Sequence, residues 1–230
     1  MENKAISYLL QNRPLHTAML EAIHRHRANL FYARHDGVLL QETNSGTYML
    51  SVNGFETGKK LMDDVPQCKL VLLHQECMVQ HVAQKYGLSQ KLECVQASYM
   101  GTDILRATQE LEIKPLDIRH KQIMMQHYDK LPENEIVEIL NSGSVFGGYK
   151  DGVLIGFIGT HLEGSVGLLN VFPPHRRLGY GEALECYMVN LTLEKGWIPF
   201  AHIETNNSKS IALQKKLGLT VSKESIYWLF

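Results

Sequence analysis

The chain is short of the features that mark several large protein classes. Its four cysteines, Cys68, Cys77, Cys94 and Cys186, show neither paired metal-ligand spacing nor the density of a secreted disulfide scaffold. A reducing, cytoplasmic setting is expected. No stretch reaches the roughly 18 consecutive apolar residues of a membrane-spanning helix. The opening segment MENKAISYLLQNRP breaks its apolar run at Gln11, Asn12 and Arg13, short of a signal-peptide core. No membrane partner is therefore expected. Charge of one sign is also lacking: the formal net charge is −1, with no long like-charge block. Such a surface offers no basic field to a polyphosphate backbone, so nucleic acid is not an expected partner. His74 and His81 have no cysteine or carboxylate set at ligand spacing, and no metal is expected. The basic run His24-Arg25-His26-Arg27 reads as a solvated helix end that complements the helix dipole.

Ordinary globular material fills the chain, with 44% apolar and 20% charged residues over 230 positions. That length exceeds the commonest single-domain range of about 100–150 residues, which favours two domains. In the first half Ile6, Leu9, Leu15, Met19 and Ile23 recur at helical spacing, with Pro14 suited to a first helical turn. The β-prone runs NLFYA, VLLQE and TYMLSV follow, punctuated by turn-forming residues at 35–37 and 43–46. After Gly54 come a helix, the strand CKLVLLH, a helix ending at Gly87, and the strand KLECVQASYM.

The second half restarts the same order at Leu111. A strand, a helix through Ile123 and a helix opened by Pro132 precede the strands SVFGGY, VLIGFIGTHL and VGLLNV. A long helix over about residues 181–194, the strand IPFAHIE, a helix near 208–217 and the β-rich tail SIYWLF close the chain. Two tandem halves are expected, residues 1–105 and residues 111–230.

The sharpest chemical signal is GLLNVFPPHRRLGYGEAL, a strand leading through Pro173-Pro174 into a glycine-spaced turn that opens an apolar-periodic helix. Helix N-termini present unpaired backbone N–H groups and partial positive charge, and Gly179 and Gly181 carry no Cβ to hold an anion away. Arg176 and Arg177 add positive charge at the rim.

Here the sequence resembles the GCN5-related N-acetyltransferase (GNAT) superfamily. That family's loop reads Arg or Gln, two residues, Gly, one residue, Gly or Ala, and Arg176-Arg177-Leu178-Gly179-Tyr180-Gly181 matches it in full. A second signature appears as Asn207, Ser210, Leu213 and Lys216-Leu217-Gly218-Leu219. The stretch His202 to Asn207 looks most like the glycine N-acyltransferase-like, FR47-like branch. The resemblance covers residues 111–230. It implies an α/β fold with a mixed, mostly antiparallel sheet, splayed between its fourth and fifth strands and flanked by helices. It also implies that coenzyme A, as acetyl-CoA or another acyl-CoA, is the acyl donor. The main chain of Leu169, Asn170 and Val171 would pair with the pantetheine amides, residues Arg177 to Gly181 would hold the pyrophosphate, and Asn207 and Ser210 would line the cofactor's far side. An asparagine at a helix start is equally well explained as an N-cap.

Acyl transfer to an amine needs a base for the ammonium, polarisation of the thioester carbonyl and a proton for the departing thiolate. Relatives often place a tyrosine before the Lys-x-Gly segment, where this chain has Gln214, and a carboxylate on the fourth strand, where it has Ser165. An amide cannot give up a proton at neutral pH. The candidate bases are His202 first, then Glu204, on the same face of its strand, and Glu163, taken as a strand residue two places before Ser165. In the first half the segment Val52 to Gly58 occupies the place of the phosphate loop, without an arginine and with Glu56 in it, so that half is expected to have lost coenzyme A. The expected activity is acyl transfer to a primary amine of a small molecule or amino acid. The alternative is an acyl-CoA-binding sensor that does not turn over.

Overall fold

The computed structural model describes residues 1–129 and 131–230. The apolar spacing near the N-terminus gives α1 (Glu2–Leu9) and α2 (Arg13–His24), with Pro14 in the first turn of α2, where its missing N–H costs no helical bond. The antiparallel meander β1 (Ala28–Arg34), β2 (Gly37–Glu42) and β3 (Tyr48–Val52) follows. A side chain at Gly37 would put its Cβ 2.6 Å from Val52 Cγ1 and 2.8 Å from the Ser51 carbonyl, so this turn demands glycine. Next come α3 (Phe55–Asp63), β4 (Val71–Leu73), α4 (Val79–Tyr86) and β5 (Lys91–Ser98). The second half supplies β6 (Glu112–Pro115), α5 (Lys121–His127), α6 (Glu133–Asn141), β7 (Val145–Lys150), β8 (Val153–Thr160), β9 (Val166–Val171) and α7 (Tyr180–Glu194). It ends with β10 (Phe200–Glu204), α8 (Ser208–Lys216), β11 (Thr220–Val221) and β12 (Ile226–Leu229).

The strands form two sheets, one in the order β1-β2-β3-β4-β12-β5-β10 with β11 also pairing to β5, the other β6-β7-β8-β9. The expected mixed, mostly antiparallel architecture flanked by helices is present, β3–β4 being the parallel pair. The division of the chain is not the expected one. Met1–Ser98 and Phe200–Phe230 form one compact unit, and Tyr99–Pro199 the other. The reason is long-range pairing: β12 lies between β4 and β5 and bonds to both, while β10 pairs with β5 from Phe200↔Ser98 to Glu204↔Cys94. The last 31 residues therefore complete the sheet begun by the first 98.

Both faces of that first sheet are covered, which explains the uninterrupted apolar run of β4. Met49 and Leu72 pack with Leu9 and Met19 on one face, and Leu50, Val71 and Leu73 pack with Met62 and Met78 on the other. In the second unit Leu116, Met124, Ile136 and Phe157 fill one face, and Ile158, Val166, Leu184 and Met188 the other.

Two imidazoles lie inside the first unit. His16 Nδ1 donates to the Leu9 carbonyl at 2.9 Å, so its Nε2 accepts from Ser51 Oγ, also at 2.9 Å. His74 Nδ1 donates to the Leu50 carbonyl at 3.0 Å, and the two rings lie 5.1 Å apart. Burial pushes the His16 pKa down and, aided by the neighbouring His16, that of His74 to about 3. Both rings are thus neutral in the folded chain over a range where the unfolded chain binds protons, below about pH 6.5. Stability is expected to be intact above that pH and to fall as acid is added. His74 accounts for up to ~1.4 kcal/mol per pH unit until its folded pKa is reached. Urea midpoints measured from pH 7 to pH 4 check this, and His74→Gln should flatten the slope.

Candidate coenzyme A site

The candidate site is built from β9 and the start of α7. Along the β8–β9 ladder Phe157 faces Asn170 and Gly159 faces Gly167, so Leu168 and Leu169 together oppose Ile158 alone. This is a β-bulge, which bends a strand and re-aims its polar groups. Leu168 holds it at φ 57°, a left-handed conformation that a leucine seldom adopts. Its side chain, packed with Phe157 and Phe172, keeps it there. The Phe172 N–H donates to the Ile155 carbonyl at 2.9 Å. Because hydrogen-bonding direction alternates along an antiparallel strand, the adjacent Val171 turns its N–H and C=O to the outer edge of β9. Among the described residues that edge pairs with no strand.

Beyond β9 the chain makes a short turn at Pro173–His175 and then a loop in which Arg177 (φ 64°) and Gly179 (φ 85°) are both left-handed. Gly179 occupies the N-cap of α7 and supplies no capping side chain, so the first N–H groups of a 15-residue helix face outward without a cap. A groove of about 310 Å³ runs beside them. Leu169, Asn170 and Val171 of β9 line it together with Arg176, Arg177 and Gly181 of the loop and helix start, and His175 also lines it. Leu178, Gly179 and Tyr180 complete the loop. Six of the predicted cofactor residues thus share one groove.

Three details bear on what this groove holds. A Cβ at Gly181 would find only Val171 Cγ2, at 3.7 Å, so the fold itself does not require glycine there. Asn170 Nδ2 donates to the His127 carbonyl at 2.5 Å, while its Oδ1 is buried with no hydrogen-bond partner among the described residues. An acceptor in that state fits a ligand bearing amide N–H groups. Arg176 is folded back, its Nε donating to the Val171 carbonyl at 2.7 Å.

The remaining predicted residues belong to other elements. His202 and Glu204 lie on β10, in the unit with residues 1–98. Gln96 Oε1 accepts from the Ala18 N–H at 3.2 Å and Gln96 Nε2 donates to the Pro14 carbonyl at 2.7 Å, which fixes the amide's orientation. The His202 Nε2 at 3.1 Å from that same oxygen must then be the donor, and Nδ1, itself buried, is the ring's other nitrogen. Phe200 and Trp228 flank the ring, each 5.5 Å away.

Residues 146–229 match the family described as FR47-like protein. Among solved structures, a Drosophila protein aligns over 100% of this chain and 96% of its own length, with a TM-score of 0.69 and 14% identity. An acetyltransferase of the GNAT family from Colwellia psychrerythraea aligns over 98% and 97%, at 0.54 and 12%. The chain has the GNAT fold, with an FR47-like segment. A GCN5-related N-acetyltransferase-like protein from Streptococcus suis matches similarly, over 95% and 96% at TM-score 0.54 and 13% identity. No curated sequence matches the chain. At these identities the solved structures speak for the fold alone.

Within this GNAT fold one expectation changes. Glu163 is not on a strand: β8 ends at Thr160 and β9 begins at Val166, so Glu163 lies in the connecting turn, where it accepts a hydrogen bond from Ser165 Oγ. The left-handed Gly164 (φ 96°) is the residue that could have marked this turn. Asn207 acts as the N-cap of α8, its side chain accepting from the Ser210 N–H at 3.1 Å, in the unit that contains β10. Gln214 and Ser165 are buried, at 2% and 1% exposure. The Leu168 bulge and the Gln96 partner of His202 went unforeseen. A left-handed leucine has no local sequence signature, and Gln96 stands 106 residues from His202.

Proposed function

We propose that this chain is an acyl-CoA-dependent N-acyltransferase, with acetyl-CoA as donor and a primary amine of a small molecule or amino acid as acceptor. The observation that carries the proposal is the groove between the free edge of β9 and the uncapped start of α7. Outward-facing peptide groups of Leu169 and Val171 suit the amides of an extended pantetheine chain, as an added strand would. For the Val171 carbonyl to take part, Arg176 must release it. The N–H groups from Arg177 to Gly181, at the positive end of the α7 dipole, suit a pyrophosphate, and the exposed Arg176 and Arg177 add charge. The donor, when bound, supplies a thioester carbonyl activated toward amines.

His202 is assigned as the base, acting through Nδ1, with Gln96 holding the tautomer; Glu204 is the second candidate. His202→Ala is expected to lower kcat/KM by on the order of 10²-fold and to remove the acidic limb of the pH–rate profile, with the melting temperature measured alongside. A rate within about twofold of wild type would remove histidine from that role. With an amide at Gln214, the departing thiolate takes its proton from water.

The N-terminal half is proposed as a repeat that has lost coenzyme A. Its element order, from α1 to β5, is that of the second half from α5 onward. At the equivalent of the glycine loop, Gly54 caps α3 in an extended conformation (φ −157°), and Glu56 sits in the first turn. Gly58 packs closely on the neighbouring helix, since a Cβ there would lie 2.6 Å from Met78 Sδ and displace that side chain.

A second reading, an acyl-CoA sensor in a cytoplasmic setting, is favoured by one observation: Ser165 and Gln214 stand where relatives handle protons, and both are buried. Thiol release from acetyl-CoA against a panel of amino acids and polyamines separates the two. Release dependent on an added amine establishes the enzyme, and binding without release across the panel favours the sensor.

A further inference from the structure

A second cavity, of about 670 Å³, lies wholly within the unit formed by residues 1–98 and 200–230. It is formed by one face of α1 and the end of β1, and it is lined by Lys4, Arg34 and His35 with no carboxylate among its lining residues. The chain as a whole has a formal net charge of −1, so two permanent cations and a histidine converging on one cavity reverse its average. No carboxylate lies within ion-pair distance of these three side chains among the described residues. Asp36, the neighbour of His35 in sequence, accepts from the Tyr32 hydroxyl at 2.7 Å and from Thr57 Oγ1 at 3.4 Å, and its charge also bears on His35 and on Tyr8. Glu2, on α1, is exposed and does not line the cavity.

From these observations we infer that this cavity is a binding site for a small organic dianion, a phosphate monoester or a dicarboxylate. Its volume falls in the range of small-molecule pockets, about 300–1,000 Å³. Arg34 brings a planar donor fork suited to either anion; its guanidinium carbon lies 5.5 Å from the Tyr32 ring centroid. Lys4 supplies the second charge from the facing helix, and Asn3, Ser7 and Gln11 supply neutral donors for the rest of the ligand. At the floor the buried Tyr8 donates its hydroxyl proton to Asn53 Oδ1 at 3.0 Å. Its oxygen lies 3.4 Å from Ser51 Oγ, the group bonded to His16.

The test is calorimetric titration of inorganic phosphate and, separately, of succinate at constant ionic strength. Three proteins are compared: wild type, the double variant Lys4→Gln/Arg34→Gln, and Gly181→Asp, in which the coenzyme A loop is disabled. At least one anion is expected to bind wild type with a Kd below about 1 mM. The double variant should bind at least about tenfold more weakly with an unchanged melting temperature, both replaced side chains being exposed. Gly181→Asp should bind as wild type does. Preference for phosphate or for succinate identifies which anion the site is built for. A Kd above about 1 mM for both anions, undiminished binding by the double variant, or loss in Gly181→Asp instead would overturn the site.

Discussion

Gly181→Asp is expected to leave the chain folded and at least as stable as wild type while lowering its affinity for acetyl-CoA by about 100-fold or more, some 2.7 kcal/mol. The two effects have different causes. Gly181 is the second residue of α7, and a Cβ there meets nothing closer than Val171 Cγ2 at 3.7 Å. Replacing a helical glycine removes about 0.5–1 kcal/mol of unfolded-state entropy cost, and an acidic side chain in the first turn interacts favourably with the helix dipole. That same carboxylate fills and charges the groove in which the phosphates are proposed to lie. Melting curves with and without acetyl-CoA report both quantities, because a ligand that binds only the folded state raises the melting temperature. Gly179 is a poorer test. Its φ of 85° strains any other residue, and a Cβ there would lie 2.9 Å from Gln109 Cγ, so lost binding and lost folding would be confounded.

Deleting the last strand, residues 226–230, is expected to unfold the unit formed by residues 1–98 and 200–230. β12 is bonded to β4 on one side and β5 on the other, and Ile226, Tyr227, Trp228 and Leu229 are all less than 10% exposed. At about 1.5–3 kcal/mol for each large side chain, their burial contributes roughly 6–12 kcal/mol. That is comparable to the whole stability of a typical domain, about 5–15 kcal/mol. Circular dichroism melts should show loss of the cooperative transition of this unit. Trp228→Ala, costing about 3–5 kcal/mol, should lower the melting temperature while leaving a measurable transition. A truncated chain that melted like wild type would show that β12 is dispensable to the sheet.

That strand also marks the limit of what the sequence discloses. Helices and strands were legible in order because their signals are local: periods of 3.6 and 2, Pro14 at a helix start, Gly87 and Gly143 left-handed at helix ends. The glycine loop was legible for the same reason, since the backbone geometry that faces an anion is made by consecutive residues. Strand order was not, because nothing within Ile226–Leu229 says that its neighbours are 71–73 and 91–94. The boundary expected near residues 105–111 followed sequence continuity, whereas packing followed the sheet. His202 stands out by its residue type and by its place on the fifth strand of the resembled family. The carbonyl oxygen that sets its tautomer comes from Gln96, whose own orientation is set by the backbone at Pro14 and Ala18. Such a three-way arrangement exists only once the fold is formed.

The most direct test of the coenzyme A assignment is amide hydrogen exchange of the wild-type chain with and without acetyl-CoA. Occupancy of the groove should slow exchange at Arg177 to Gly181 and at the outward-facing amides of Leu169 and Val171, while the Gly54–Gly58 segment stays unchanged. Exchange unaltered across residues 169–181 at saturating acetyl-CoA would contradict the assignment.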